Sequence, residues 1–363
     1  MEQQLIKIGG GGVASLSCAI NLRLAGFDVL IYEKNQDAGW HRHNDWQGLE
    51  NWTNDEDVLE FLRRINIKVN FPNHPCFEAI GLDADLNRYP VKSQKPLFYL
   101  IKRGLGLNSF DQYLKKQAEE IGVQFEFNKS VKPEEAEIIG TGRRNAEKFF
   151  GMALGITFET DLPNTVLCLL DNNIAPQAYA YLIVVNNQAT LAACFITLKK
   201  HLKAGRQHLE EAIKQFQKVA GFSIQNPRYF SGSANLGFIK DKSRIYIGEA
   251  GGLQDGFLGF GMRYALLSGY LAAQSIVKSS NYQAAAKIYW QTVEKEIYPI
   301  IRTSIVNRFI YEFFTNKTYK WLLGKISKKT DIRKFVQKQY QPAFYKNLLF
   351  PIIKLKSRKY LIH

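Results

Sequence analysis

An α/β fold is predicted for this chain of 363 residues: a parallel sheet with crossover helices, an inserted antiparallel β-sheet and a helical C-terminal region. Three observations predict it. A glycine-rich turn, Gly9-Gly10-Gly11-Gly12-Val13-Ala14, stands between the strand-like Leu5 to Ile8 and a helical run from Ala14 to Ala25. A second glycine-rich segment, Gly248-Glu249-Ala250-Gly251-Gly252, follows the strand-like Arg244 to Ile247 and leads through Gly259-Phe260-Gly261-Met262 into an apolar helix. Between them lies a block of short β-rich runs.

The first segment has a direct physical reading. A pyrophosphate needs backbone N–H groups at the positive end of a helix, and side chains in the turn would hold it away. Gly9 is expected to permit the tight turn, Gly11 and Gly12 to let the backbone approach the phosphates, and Ala14 to allow close helix–strand packing. Gly26 closes the helix, and the strand Asp28 to Tyr32 ends on Glu33. An acid about 20 residues after the turn is placed to accept from ribose hydroxyls. With the second segment in this order and separation, the pair points to FAD in a Rossmann-type domain rather than to a nicotinamide cofactor.

Other elements follow in order. Thr53 and Glu56 have capping-box spacing before a helix carrying Val58, Leu59, Leu62 and Ile65 on one face. Residues 71–91 are Pro-rich, then strand-like; Pro96 to Arg103 reads as a strand, and Ser109 to Ile121 as a helix with Phe110, Tyr113 and Leu114 inward. Ala136 to Gly142 reads as a buried strand ending on glycines. Gly155–Thr160, Thr165–Leu170, Ala178–Val185 and Thr190–Thr197 have the spacing of an antiparallel sheet, and a helix from Arg206 to Ala220 follows. The expected domains are therefore a discontinuous FAD-binding unit (1–72, 99–157 and 228–280), a substrate unit (73–98 and 158–227) and a basic helical region (281–363).

Four scattered cysteines without C-x-x-C spacing suggest neither a disulfide framework nor a zinc site, and the His41/His43 pair lacks a third ligand cluster. Met1 to Gln4 run straight into the first strand, and no apolar run reaches the ~18 residues of a membrane span, so a cytoplasmic protein is expected. The charge is uneven. Residues 317–363 hold 13 Lys and Arg against one acid, Asp331, whereas the preceding 316 residues hold 35 against 32. Basic and aromatic residues interleaved on helices suit an anionic membrane surface, here the inner face, with Lys325, Lys328, Lys329, Arg333 and Lys334 among the contacts. A tail packed on the flavin domain with solvated lysines is the competing reading. No nucleic-acid motif accompanies the charge.

Tyr32-Glu33-Lys34, Trp46-Gln47-Gly48-Leu49-Glu50-Asn51-Trp52 and Gly259-Phe260-Gly261-Met262-Arg263-Tyr264-Ala265 resemble the geranylgeranyl reductase family, within the hydroxybenzoate-hydroxylase-like flavoproteins. The resemblance runs from about Leu5 to about Val277. It implies a Rossmann-type FAD domain with an inserted antiparallel sheet over an apolar cavity, and reduction of isolated double bonds in isoprenoid chains. It also implies that Gly9, Gly11, Glu33 and Lys34 attend the ADP part of FAD, with Arg103 beside its phosphate or ribose. Gly140 and Gly142 stand where the family has an Ala-Thr-Gly turn, and Gly248 where its Gly-Asp approaches the ribityl chain; Glu249 replaces that Asp. Gly259, Gly261 and Met262 would bring a helix N-terminus to the flavin ring, where its partial charge favours the anionic reduced form.

The family's P-x-x-Y-x-W-x-F-P strand is only partly kept in Pro176-Gln177-Ala178-Tyr179-Ala180-Tyr181-Leu182-Ile183-Val184, so an apolar cavity of altered shape is implied. Reducing an alkene needs hydride at one carbon and a proton at the other. Tyr179, Tyr181, His41, His43 or an ordered water are the candidates for the proton, while Tyr179 and Tyr181 also fit ordinary core aromatics. The electron donor stays open among NAD(P)H, a ferredoxin and a quinol. A monooxygenase or halogenase on the same scaffold is the alternative, weakened by Thr141-Gly142-Arg143-Arg144 where hydroxylases carry Asp-Gly. A flavin-binding accessory protein without turnover is the third reading.

Overall fold

The computed structural model describes residues 5–142, 151–196, 203–234, 236–239, 241–356 and 361–362. Arg143, Arg144 and Thr197 lie outside them. β1 (Leu5–Gly9), α1 (Val13–Leu24) and β2 (Asp28–Glu33) form the strand–turn–helix–strand unit expected from the sequence. β1 and β2 pair in parallel, Leu5 opposite Asp28 through Gly9 opposite Tyr32. Ile6, Ile8, Val29, Ile31 and nearly all of α1 are buried, so this unit is the inner layer of the molecule.

β3 (His43–Glu50) and α2 (Val58–Arg64) come next. The helix start differs from the capping-box expectation: Asp57, not Thr53, is the N-cap, accepting from Leu59 N at 2.9 Å. Thr53 Oγ1 instead donates to Glu50 at 2.6 Å, and Glu56 pairs with Arg64 at 2.8 Å, which removes both side chains from the cap. β4 (His74–Cys76), β5 (Glu78–Leu82), β6 (Arg88–Lys92), β7 (Phe98–Gly104), α3 (Phe110–Glu120), β8 (Gln124–Phe127) and β9 (Ile138–Ile139) follow. Ser109 Oγ caps α3 by accepting from Gln112 N; Phe110 and Leu114 are buried, while Tyr113 is only partly so.

The inserted block holds β10 (Gly151–Glu159), β11 (Thr165–Leu169), β12 (Ala180–Val185), β13 (Gln188–Ile196), α4 (Gly205–Ala220) and β14 (Gln225–Ala234). β15 (Leu236–Gly237) and β16 (Ile245–Tyr246) lead to α5 (Met262–Val277), α6 (Tyr282–Glu296) and α7 (Tyr298–Tyr311). α8 (Asn316–Ile326), α9 (Ile332–Tyr340), α10 (Phe344–Lys356) and β17 (Leu361–Ile362) complete the described chain.

The strands sort into a parallel sheet of order β16-β9-β1-β2-β8 and a seven-stranded sheet of order β14-β10-β13-β12-β11-β5-β6. The larger sheet is antiparallel except where β11 runs beside β5. A third sheet, β3-β7-β4, lies between their sequence segments. The α/β architecture with an antiparallel insertion and a helical C-terminal region is thus the observed one. The expected domain edges shift, because hydrogen-bond ladders do not stop where composition changes. The cuts at 157 and 227 fall inside β10 and β14, and β4 pairs with β7 rather than joining the larger sheet.

The basic region is largely docked. Tyr319, Leu323 and Tyr340 are buried, and Asp331 caps α9 through Lys334 N. Arg333, grouped in the sequence with surface cations, is 3% exposed. Its guanidinium donates to the carbonyls of Asn51 and, at 2.7 Å, Asn54. Arg333 therefore joins α9 to the chain after β3 and is not a surface contact. Arg333→Ala leaves these carbonyls unpaired, and we expect a loss of about 2–4 kcal/mol of stability. Urea unfolding checks this, with the exposed Lys334→Ala as a control expected to stay within about 0.5 kcal/mol of the parent.

Candidate functional site

The nucleotide end is built at the β1–α1 turn. Gly9 is the last residue of β1 and pairs with Tyr32, so it is not the turn residue. Gly10 is: its φ is +96°, and a Cβ there would collide with the Gly140 carbonyl. Gly140 N in turn donates to Gly9 O at 2.7 Å, which locks the β9 end against the turn. Gly11 N donates to Glu33 Oε2 at 2.7 Å, and Glu33 Oε1 accepts from Asn35 N at 2.9 Å. A Cβ on Gly11 would press on the Glu33 carboxylate at 3.2 Å, whereas Gly12 has open space around it. The acid at the end of β2 is therefore held against the glycine turn. Lys34 beside it is exposed.

Gly12 is the N-cap of α1, and no side chain caps that end. The first N–H groups of the helix are thus available to an anion. Ser15 Oγ is buried close to where Gly140 would carry a side chain and has no hydrogen-bond partner among the described residues. A turn without side chains, an uncapped helix start and an orphaned hydroxyl suit a dinucleotide phosphate. Ala14 serves a different contact from the expected helix–strand one. It faces Gly248, where a Cβ would lie 3.0 Å away, and its carbonyl abuts Gly269 of α5.

The second segment forms a turn, Gly248–Gly251, with Gly248 at φ +56° and its N–H donating to Ser268 Oγ at 2.8 Å. Glu249 is partly buried there. The loop before α5 is organised by two residues that the sequence reading did not single out. Asp255 accepts from Phe257 N, Leu258 N, Phe260 N and Tyr340 Oη, the last at 2.7 Å. Burial pushes its carboxyl up while these donors pull it back. Gln254 donates to Gly259 O at 3.0 Å and fills the space where Gly261, the N-cap of α5, would carry a Cβ. An Asp that can accept from the backbone two residues on, set among glycines, is the signal that marks such a loop. Gly259, at φ +82°, and Met262 complete the start of α5.

Tyr179 and Tyr181 stand beside this loop, with ring centroids 6.2 Å apart. Tyr179 Oη donates to Leu258 O at 2.6 Å. The Tyr181 hydroxyl, on β12, makes no hydrogen bond among the described residues, and its ring packs in the cluster of Trp46, Trp52, Phe98 and Ile183. Burial raises both phenols well above their ordinary value, so both keep their protons at neutral pH. His43 is placed differently. It is exposed and stacks on Phe230 of β14 at 6.3 Å. His41 is exposed as well, with Nε2 3.2 Å from Asn35 Nδ2, and partial desolvation together with the neighbouring Lys34 charge lowers its pKa. Gly142, at φ +73°, has open space where a Cβ would go.

Arg103 is buried in a bidentate pair with Asp111 of α3, at 2.7 and 2.8 Å, and Asp111 also accepts from Gly104 N. Burial opposes ionisation of Asp111, but the Arg103 charge holds its carboxyl below the usual range. The pair braces Gly39, where a Cβ would lie 2.9 Å from Asp111 Cβ. Its visible work is thus to position the 39–43 loop. A separate cavity of about 560 Å³ lies behind α5, lined by Phe61, Tyr264, Leu267, Tyr270, Gln274 and Thr292. It includes neither glycine turn, nor Tyr179, nor Tyr181.

The comparisons agree with this geometry. Residues 8–50 match the family model of an NAD(P)-binding Rossmann-like domain. No curated protein shows a significant match in sequence. Among solved structures, a geranylgeranyl bacteriochlorophyll reductase-like protein from Thermoplasma acidophilum superposes with a TM-score of 0.72 at 14% identity, covering 99% of this chain and 100% of that one. The flavin-dependent brominase Bmp2 gives 0.62 at 16% identity, covering 98% and 99%. The myxobacterial chondrochloren halogenase CndH, described as FAD-dependent, gives 0.59 at 13%, covering 98% and 97%. At these identities the likeness shows the fold, and the chain has the fold of FAD-dependent oxidoreductases.

Proposed function

We propose that this protein is an FAD-dependent oxidoreductase that reduces a C=C bond of a hydrophobic, isoprenoid-like substrate. The observation that carries the reading is the placement of Tyr179 and Tyr181 in two apolar clusters that both include Phe257 of the loop before α5, with both phenols neutral. Bound FAD, once reduced, supplies the hydride for such a reduction. The chain supplies the rest. The α1 start, Ser15 and Glu33 would hold the dinucleotide, and the Asp255-braced start of α5 would face the ring. Trp46, Trp52, Phe98 and Phe260 exclude water; Trp52 and Phe260 meet edge to face at 4.7 Å. Tyr181 is the better proton donor, because Tyr179 already commits its hydrogen to Leu258 O.

A second reading has a specific observation behind it, since a brominase and two halogenases share the fold at TM-scores of 0.62, 0.58 and 0.59, against 0.72 for the reductase-like structure. Anaerobic photoreduction followed by mixing with isoprenoid lipids or quinones separates the two. Substrate-dependent reoxidation without oxygen supports reduction. Reoxidation that requires oxygen supports the oxygenase or halogenase reading, and no accelerated reoxidation by any acceptor supports an accessory role.

Three outcomes are expected of variants. Gly11→Val should abolish FAD binding, measured as flavin per chain after purification, because its side chain would displace the Glu33 carboxylate from the turn. Glu33→Ala should weaken FAD by about 1–3 kcal/mol in a titration, from lost hydrogen bonds to a charged acceptor. Tyr181→Phe should retain full flavin but slow substrate-dependent reoxidation about 10²–10⁴-fold, the usual contribution of a positioned general acid. An unchanged rate would move the proton to water or to Tyr179.

A further inference from the structure

Helix α10 of the basic region is apolar on two opposite sides. α10 packs one side inward, with Ile353 buried, Phe350 against Phe238 at 5.5 Å and Lys346 3% exposed. On its opposite side, Phe344, Leu348, Ile352 and Leu355 are exposed by 79%, 59%, 55% and 59%. Steps of four, four and three residues put these side chains on one helical stripe, flanked by exposed Tyr345 and Leu349. Six of the seventeen large apolar side chains exposed among the described residues therefore lie on this helix. A contiguous apolar face of this kind marks an interaction site rather than ordinary surface.

The charges around it select the occupant. From Ile332 to His363 the sequence has eight Lys and Arg and no acid. Lys334, Lys338 and Lys354 are exposed. A second copy of the chain would bring like charge against like, with a net +15 on each partner. An anionic surface with an apolar interior answers both the stripe and the cations. No helix among the described residues is long and apolar enough to cross a bilayer, so the helix would lie in the plane of the interface.

We propose that α10 docks the protein on an anionic phospholipid bilayer, with Phe344, Leu348, Ile352 and Leu355 below the headgroups and Lys354 and its basic neighbours among them. The docking surface is narrower than the whole basic region, since Arg333 and Lys346 face inward. It stands independently of the reaction proposed above.

Vesicle flotation of the full chain tests this, using phosphatidylcholine vesicles with and without phosphatidylglycerol. Binding should be at least about tenfold stronger to the anionic vesicles and should fall with added salt. Leu348→Ser combined with Ile352→Ser should reduce anionic binding at least about tenfold by removing inserted apolar surface. Flavin content and thermal midpoint serve as the check on folding. Lys338→Gln with Lys354→Gln keeps every apolar side chain and should weaken binding at low salt only. Wild-type protein that ignores both vesicle types would overturn the proposal, as would a serine variant that floats like the parent. A concentration-dependent dimer abolished by the serine pair, without vesicle binding, would assign the stripe to a second copy instead.

Discussion

Everything in the candidate site depends on one close approach, that of α1 to α5. Gly269 has no side chain because Ala14 O and Cys18 N occupy the place where one would be. Ser17 Oγ reinforces the contact by donating to Leu266 O at 2.8 Å. Two helices at this distance bring together glycine turns that lie more than two hundred residues apart in sequence. The uncapped start of α1 and the glycine-bounded start of α5 then belong to one rigid frame. Dispersion and backbone contact, rather than any charge, set that frame, since small residues let the helices come close.

The parts of this arrangement that were legible in the sequence are those where chemistry leaves a local trace. The Gly9 to Ala14 run, the acid at Glu33 and the Gly248 and Gly259 turns are visible because phosphate approach and positive φ demand glycine. The strands of the insertion are visible because short β-rich runs separated by turn residues leave the spacing of an antiparallel sheet. Other features depend on partners far away in sequence. Gly10 takes the turn conformation because Gly140 is packed on it, and Ala14 meets a helix rather than a strand. Thr53 is drawn from its cap by Glu50, and Arg103 is held by Asp111. Nothing local distinguishes these residues from their simpler alternatives.

Charge shows the same division. Counted along the chain, residues 317–363 form one basic block. In three dimensions the block separates into cations that hold the fold and cations that face outward. Arg333 is a structural arginine on two carbonyls and Lys346 reaches the Gln339 carbonyl, whereas Lys320 pairs with Asp85 at 2.7 Å on the exposed surface. A net charge thus predicts a field, whereas burial decides which residues create it outside the protein.

The bond from Tyr340 to Asp255 has a consequence for how the molecule is made. The loop that introduces α5 cannot be completed by the chain that precedes it, because one of its four donors is 85 residues further on. During synthesis the two glycine turns would be present long before that hydroxyl leaves the ribosome. The parallel sheet itself waits for β16 to join β9. Long-range closures of this kind are slow and leave apolar surface open in the meantime. The nascent protein therefore passes through a stage in which both glycine turns have been made while the loop before α5 still lacks its brace from Tyr340.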